Sequence, residues 1–329
     1  MSKVLITGVA GLIGSHFSKY LCDKGYEVYG IDDLSGGYTS SVDSRIKFYK
    51  INLSNQSQLN EIFEKIKPDY VYHFAAYAAE GLSSFIRNFN YSNNLICSAN
   101  VINECIKNDV KKIIFTSSMA IYGEGKTPFT EDQQPNPIDP YGIAKYAVEM
   151  DLRQSYNQFG LNYSILRPHN VIGIKQNIWD KYRNVIGIWI RRALNGESIS
   201  IYGDGTQKRA FSNIKYCLEP FEKLMIIGDS EIFNVGSDKI YTLNETAEIF
   251  IQAVKEFGYV AKTEYLEARH EVKCAYSNHE KIKKALGFKD ETDLEKTIKE
   301  MFEWALKQPK REIRRMNYEL TKGMYVYYK

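Results

Sequence analysis

Little in this chain of 329 residues stands in excess. Cysteine is scarce: Cys22, Cys97, Cys105, Cys217 and Cys274 are odd in number, scattered, and form no C-x-x-C pair. That argues against a disulfide framework or a thiolate zinc site and fits a reducing compartment. The five histidines show no metal-ligand spacing; His73 and His169 fall inside strand-end segments and are expected to be packed or hydrogen-bonded there. Neither sign of charge dominates: 43 basic against 40 acidic residues leave +3, too balanced for nonspecific nucleic-acid binding. No apolar run approaches the ~20 residues that cross a bilayer. The opening "MSKVLITG" runs directly into a strand pattern and leaves no room for a signal peptide, so a soluble cytoplasmic protein is expected. Low-complexity tracts and repeats are missing too. The basic, tyrosine-rich stretch from Lys310 to Lys329 reads as a solvated or packed terminus, not as a polyanion patch.

What is present is alternation. Strand patterns at 3–8, 27–32, 46–51, 69–76, 111–118 and 162–168 are interleaved with helix patterns near 12–24, 55–66, 83–108 and 140–159. Such alternation predicts an α/β fold: a Rossmann-type, doubly wound parallel sheet with helices on both faces and ligands gathered at one edge. The pattern loosens after Arg167. A helix over 182–196, a strand running into a turn at 198–205, and helices near 213–225, 242–257, 278–287 and 294–308 predict a smaller α/β substrate-binding domain. We expect residues 1–168, with 211–238 returning, to form the dinucleotide-binding domain, and residues 169–210 and 239–329 the substrate-binding one.

"TGVAGLIGSH" at 7–16 places Gly8, Gly11 and Gly14 directly after a strand and at the opening of a helix. Glycine serves where the chain turns sharply and where backbone must approach a pyrophosphate, and the helix N-terminus offers free N–H groups to that anion. Asp32 ends the second strand, positioned for the hydroxyls of an adenosine ribose. A carboxylate there repels a 2′-phosphate, and no arginine follows before Arg45, so NAD is favoured over NADP.

"DPYGIAKYAVE" at 139–149 puts Tyr141 and Lys145 four apart on a predicted helix, hence on one face. A free phenol, with a pKa of ~10, is too weak a base at neutral pH. A neighbouring ammonium is expected to lower it; about three units require roughly 4 kcal/mol of differential stabilisation.

Taken together, T-G-x-x-G-x-x-G, the serine cluster of "TSSMAIYG" at 116–123 and Y-x-x-x-K resemble the extended short-chain dehydrogenase/reductase family. Within it the chain is most similar to nucleotide-sugar epimerases of the UDP-galactose 4-epimerase type. The resemblance implies tightly held NAD, a nucleotide-diphosphate sugar (a UDP-sugar favoured) across the domain interface, and a homodimer formed through a four-helix bundle of the helices near 83–108 and 140–159. Carried over by motif, the glycine loop with Leu12 and Ile13, then Asp32, Asp33, Asn52, Leu53, Phe74, Ala75, Asn93, Tyr141, Lys145 and Pro168 would line the NAD. On the sugar-nucleotide side, Asn170 and Arg209 would hold the diphosphate, Asn184, Val185 and Tyr202 the base and ribose, and Arg269 with Glu271 a second clamp. Ala275 matches a position that gates the sugar pocket, and its small side chain leaves room for an N-acetyl group. The chain departs from the pattern at "HFAAYAAEG", where Ala78 replaces a frequent lysine and Glu80 follows; Glu80 reads equally as a contact to a sugar hydroxyl or a solvated loop residue.

The same resemblance explains why the hydroxyl run stops at Met119 and Ala120. Related 4,6-dehydratases carry Thr-Asp-Glu where this chain has Ser118, Met119 and Ala120, and related UDP-glucuronate decarboxylases keep a glutamate at the last position. With both positions aprotic, general acid/base chemistry at C5 and C6 lacks its usual agents. Ser118, Tyr141, Lys145 and the nicotinamide suffice for reversible oxidation at C4, hence epimerisation. An oxidoreductase, an epimerase at another carbon, and a dinucleotide-sensing binding module are the alternatives.

Overall fold

The structure, a computed structural model, describes residues 2–328. Seven parallel strands form the central sheet, in the order 231–235, 163–168, 112–116, 70–73, 3–7, 27–32, 47–50. Six of the seven coincide with the predicted strands. The seventh, Glu231–Val235, lies in the segment expected to return, but its strand character was not predicted.

Alternation along each strand explains the two-sided core. Leu5, Ile113, Phe115 and Ile165 face one layer of helices with Phe63 and Val101, whereas Val4, Ile6, Ile114 and Phe233 face the other with Phe17 and Phe221. Strands buried on both faces read as continuous apolar runs, which is why "KIIFT" is buried throughout. Strand order reverses between 3–7 and 70–73, and this switch opens a crevice beyond their C-terminal ends.

The helix that carries Tyr141 and Lys145 is delimited by its own sequence. Asp139 caps it, its Oδ1 accepting from Gly142 N at 2.9 Å; Pro140 supplies the first helical residue; Gly160 ends it with φ +75°. The helix expected over 83–108 is instead broken. Glu80–Ser83 and Arg87–Tyr91 precede a π-helical turn at Ser92–Ile96, and regular helix resumes at Cys97–Lys107. Period-3.6 patterning does not register one extra residue in a widened turn, so the turn was invisible in the sequence.

Beyond residue 168 a separate apolar cluster forms round Trp189, Phe250 and Phe302. Helices Val185–Leu194, Leu243–Lys255 and Leu294–Leu306 enclose it. Small sheets join 199–202 to 263–266, and 208–210 to both 240–242 and 274–275. The segment expected as a strand running into a turn at 198–205 is one: the strand Ile199–Tyr202 leads into the Gly203–Gly205 turn. The C-terminal stretch is packed: Met324 and Tyr328 join Tyr77, Phe85 and Tyr182 in a further cluster.

Candidate active site

One cavity of about 600 Å3 runs across the crevice, and every candidate catalytic, cofactor and substrate residue named from the sequence lines it. At one end is the glycine loop. Gly8 adopts φ +73°, and a Cβ there would stand 2.7 Å from Ala75 N; one on Gly14 would stand 2.2 Å from Gly8 O. Both positions need glycine so that helix Leu12–Asp23 can seat against the strands, and the cradle would be filled by any side chain. Asp32 ties the loop to the second strand, accepting from Ala10 N (3.0 Å) and Leu34 N (2.8 Å); burial raises its carboxyl above the ordinary value. Asp33 accepts from Asn52 Nδ2 at 2.8 Å. Asn93 lies in the π-helical turn and faces the same cavity as Leu53, Phe74, Ala75 and Pro168.

At mid-cleft, Thr116, Ser117 and Ser118 follow the fifth strand. Thr116 Oγ1 and Ser117 Oγ are buried with no partner among the described residues, which suits a cleft built for a polar ligand. Those orphan hydroxyls, the bare glycine cradle and the Asp32 carboxylate together fit an adenine dinucleotide. Ser118 Oγ accepts from Ala120 N at 3.1 Å and caps a 3-10 turn, Met119–Tyr122. The hydroxyl run therefore stops where the backbone turns inward. Met119 packs with Ile121, Tyr122, Phe129 and Ala275, an apolar wall beside the reacting centre.

Tyr141 and Lys145 do share one face. Lys145 Nζ donates to Thr116 O at 2.7 Å, and lies 4.7 Å from the Phe115 ring centroid and 5.9 Å from that of Tyr141. Burial pushes the amine down to about 7, opposed by Glu149. The Tyr141 phenol contradicts the expectation of a lowered pKa. Burial first, then the Glu80 charge, hold it well above its ordinary value; a bond with Ser118 only partly offsets them. Enclosure weighs more on this phenol than the nearby Lys145, whose ammonium is directed at a carbonyl.

At the far end stand the residues expected to meet a nucleotide sugar. Arg209 donates to the carbonyls of Lys208 (2.9 Å) and Lys273 (3.2 Å), and Glu271 lies 3.7 Å from Arg209 and 3.4 Å from Arg269. The Arg269 guanidinium sits 3.8 Å from the centroid of the Tyr202 ring. Asn170, at φ +41°, donates to Ala210 O at 3.0 Å, and Asn184 Oδ1 accepts from Ile186 N at 3.0 Å, capping the helix that starts at Val185. Ala275 pairs with Arg209 in parallel register and is buried. Glu80 reaches solvent within the cleft although protein surrounds it; enclosure, then repulsion from Asp139, raise its carboxyl.

Sequence reasoning missed several lining residues. Arg183 is paired with Asp180 at 3.2 Å and stacked 4.7 Å from the Tyr77 centroid; Asn177 donates to Gly36 O at 3.1 Å; Tyr325 arrives from the C-terminal stretch. None belongs to a spaced motif. His73 is buried between Thr7 Oγ1 (2.6 Å) and Ser98 Oγ (2.9 Å), and His169 lies 3.0 Å from His279, whose Nδ1 is 2.7 Å from Asp238.

Residues 4–236 match the NAD dependent epimerase/dehydratase family. The crystal structure of a UDP-glucose 4-epimerase from Thermotoga maritima, with UDP-glucose, superposes with a TM-score of 0.88 at 33% identity, covering 93% of this chain and 99% of that one. A UDP-N-acetylglucosamine 4-epimerase from Methanobrevibacter ruminantium, in complex with UDP-N-acetylmuramic acid, gives 0.84 at 30% identity over 93% and 98%. A UDP-glucuronate 4-epimerase from Thermodesulfobacterium geofontis is 29% identical over 321 residues, 93% of this chain and 96% of the relative.

Proposed function

The chain belongs to the NAD-dependent epimerase/dehydratase family, and from that premise we propose that it inverts C4 of a nucleotide-diphosphate hexose, a UDP-sugar in the first instance. It is an NAD-dependent nucleotide-sugar epimerase. Gly8, Gly11 and Gly14 with Leu12, Ile13, Asp32 and Asp33 would hold the adenosine and pyrophosphate of NAD; Asn52, Leu53, Phe74, Ala75, Asn93, Lys145 and Pro168 would hold the rest. Bound NAD supplies a hydride acceptor that returns what it takes and, when oxidised, a positive ring that draws the neighbouring phenol down.

In this reading Tyr141 Oη takes the proton of the C4 hydroxyl and gives it back, while Ser118 Oγ hydrogen-bonds the same oxygen. Lys145, fixed on the Thr116 carbonyl, positions the strand end and the ribose beside it. Arg209 and Arg269 match phosphate oxygens with their planar donors, Asn170 adds a third contact, and Asn184, Val185 and Tyr202 receive the nucleobase. A diphosphate anchored at one end leaves the sugar free to present either face. Buried Ala275 keeps space for an N-acetyl group.

The observation that carries the proposal is the company of Tyr141. Its phenol shares the cleft with Ser118 and Lys145, while the next two positions, Met119 and Ala120, provide no proton donor for elimination. NMR of UDP-glucose and UDP-N-acetylglucosamine incubated with the protein should show conversion to the galacto epimers, and Tyr141→Phe should fold, keep NAD and lose nearly all turnover. Glu80 favours a second reading, an epimerase at a carbon beside C4, since its carboxylate could remove a carbon-bound proton. Deuterium from D2O at C3 or C5 would support that reading, whereas direct hydride return leaves those carbons unlabelled.

We also propose a homodimer built on the helices around 87–107 and 140–159. Ile96, Ile143 and Met150 are 52%, 43% and 53% exposed there, and Ile143 and Met150, seven apart, share one helix face. A cytoplasmic location accords with five free thiols.

A further inference from the structure

Glu80 opens the short helix Glu80–Ser83, against the start of the helix that bears Tyr141. Ser83 Oγ donates to Glu80 O at 2.7 Å and lies 3.4 Å from Asp139 Oδ1, so the turn carrying Glu80 is fastened to the cap residue two positions before the phenol. On its other side, a Cβ on Gly81 would stand 3.7 Å from Arg269 Nη1. Glu80 thus occupies the sugar end of the cleft, between the reacting centre and the arginines.

The charges there do not balance. Glu80, Asp139 and Glu271 are three carboxylates, against the guanidinium groups of Arg209 and Arg269. Both arginines are already drawn to Glu271. Lys145 is committed to a carbonyl and Arg183 to Asp180. Among the described residues no cation forms an ion pair with Glu80. A diphosphate that engages Arg209 and Arg269 would leave Glu271 without its partners, making the sugar end more anionic still.

We propose that Glu80 sets the substrate class: the cleft accepts neutral hexoses and N-acetylhexosamines, to whose hydroxyls Glu80 is an acceptor, and rejects hexuronates, whose carboxylate would face an uncompensated carboxylate. Like charges brought together in a cleft that offers no spare cation are a device against a wrong partner. The proposal rests on the epimerase reading, whose relatives act by name on both kinds of sugar.

The test compares wild type with Glu80→Gln, both loaded with NAD, using UDP-glucose and UDP-glucuronate. Calorimetry reads affinity and NMR reads turnover. At low salt and pH 8.5, where Glu80, raised to about 7, is ionised, wild type should bind UDP-glucose about 100-fold more tightly than UDP-glucuronate. Glu80→Gln should narrow that ratio at least about tenfold, chiefly by gaining affinity for the uronate, and added salt should narrow it in wild type alone. Glu80→Ser gives the same reading should the amide fail to fold. Equal affinity of wild type for both sugars, or a ratio unmoved by the substitution, overturns the proposal. The two readings separate: turnover of both sugars alike defeats the charge filter and keeps the epimerase, whereas the binding ratio without turnover of either sugar keeps the filter and defeats the epimerase.

Discussion

Lys145 directs its ammonium at the Thr116 carbonyl, 2.7 Å away, while the Tyr141 ring centroid lies 5.9 Å from the same nitrogen. An amine 2% exposed, with one carbonyl as its hydrogen-bond partner, is a stability cost retained for function. Unfolded, it keeps its proton up to a pH of about 10; folded, it releases it near 7. Between those values the unfolded chain binds the extra proton, so this group's contribution improves with rising pH and is most unfavourable below pH 7. Lys145→Met should therefore stabilise the protein at pH 7 by on the order of 2 kcal/mol, after the lost bond to Thr116 is counted, while abolishing turnover. Urea denaturation without added dinucleotide, at pH 6.5 and pH 9.5, checks the sign: the gap between variant and wild type should shrink at the higher pH.

Arg167 and Glu149 form a two-pronged pair in the core, Nε to Oε1 at 3.0 Å and Nη2 to Oε2 at 2.6 Å, with 1% and 0% of their side chains exposed. Arg167 also donates to Tyr122 Oη at 2.8 Å, so the pair links the sixth strand, the Tyr141 helix and the turn after Ser118. Arg167→Met should cost about 3–5 kcal/mol because it strands a buried carboxylate. Arg167→Met with Glu149→Leu should recover most of that loss. Thermal unfolding of the two variants decides it, and a double variant no more stable than the single one would count against the argument.

What was legible beforehand had a local period or a fixed spacing. Alternating apolar residues gave away six parallel strands, and the Gly8–Gly14 loop, Asp32 and the Tyr141–Lys145 pair lie within short windows whose chemistry constrains their order. Elements set by distant partners were not legible. The π-helical turn that brings Asn93 to the cleft, the strand Glu231–Val235, which pairs with Ser164–Pro168, and the His169–His279–Asp238 chain all depend on contacts across the fold. The raised Tyr141 phenol belongs with them, since enclosure by the whole molecule outweighs the residue four positions away.

The resemblance to dehydratases sets Met119 against a carboxylate there, and its surroundings explain what an acid at this position would do. It is 8% exposed among Ile121, Tyr122, Phe129 and Ala275. Met119→Asp should destabilise the protein by about 2–4 kcal/mol, because the new charge finds no partner in that wall. Met119→Leu should stay within about 1.5 kcal/mol of wild type. Chemical denaturation measures both, and an aspartate tolerated as well as leucine would mean that the pocket opens to water there.

The tyrosine-rich C-terminal stretch reaches the proposed nucleotide end of the cleft. Tyr327 packs 4.4 Å from Tyr202, whose ring also meets the Arg269 guanidinium at 3.8 Å, and Tyr325 Oη accepts from His270 N at 2.7 Å. Tyr202 and Arg269 are thus held in register by residues more than fifty positions further along the chain. Tyr327→Ala removes one support without touching Tyr141, Ser118 or Lys145. If the stretch orders the nucleotide subsite, KM for the sugar nucleotide should rise about tenfold while kcat stays within about twofold. Tyr327→Phe should behave as wild type, since its hydroxyl has no partner among the described residues and the stacking ring is preserved. Equal losses in kcat for both variants would show instead that the hydroxyl takes part in catalysis, and an unchanged KM in Tyr327→Ala would show that Arg269 alone fixes the Tyr202 platform.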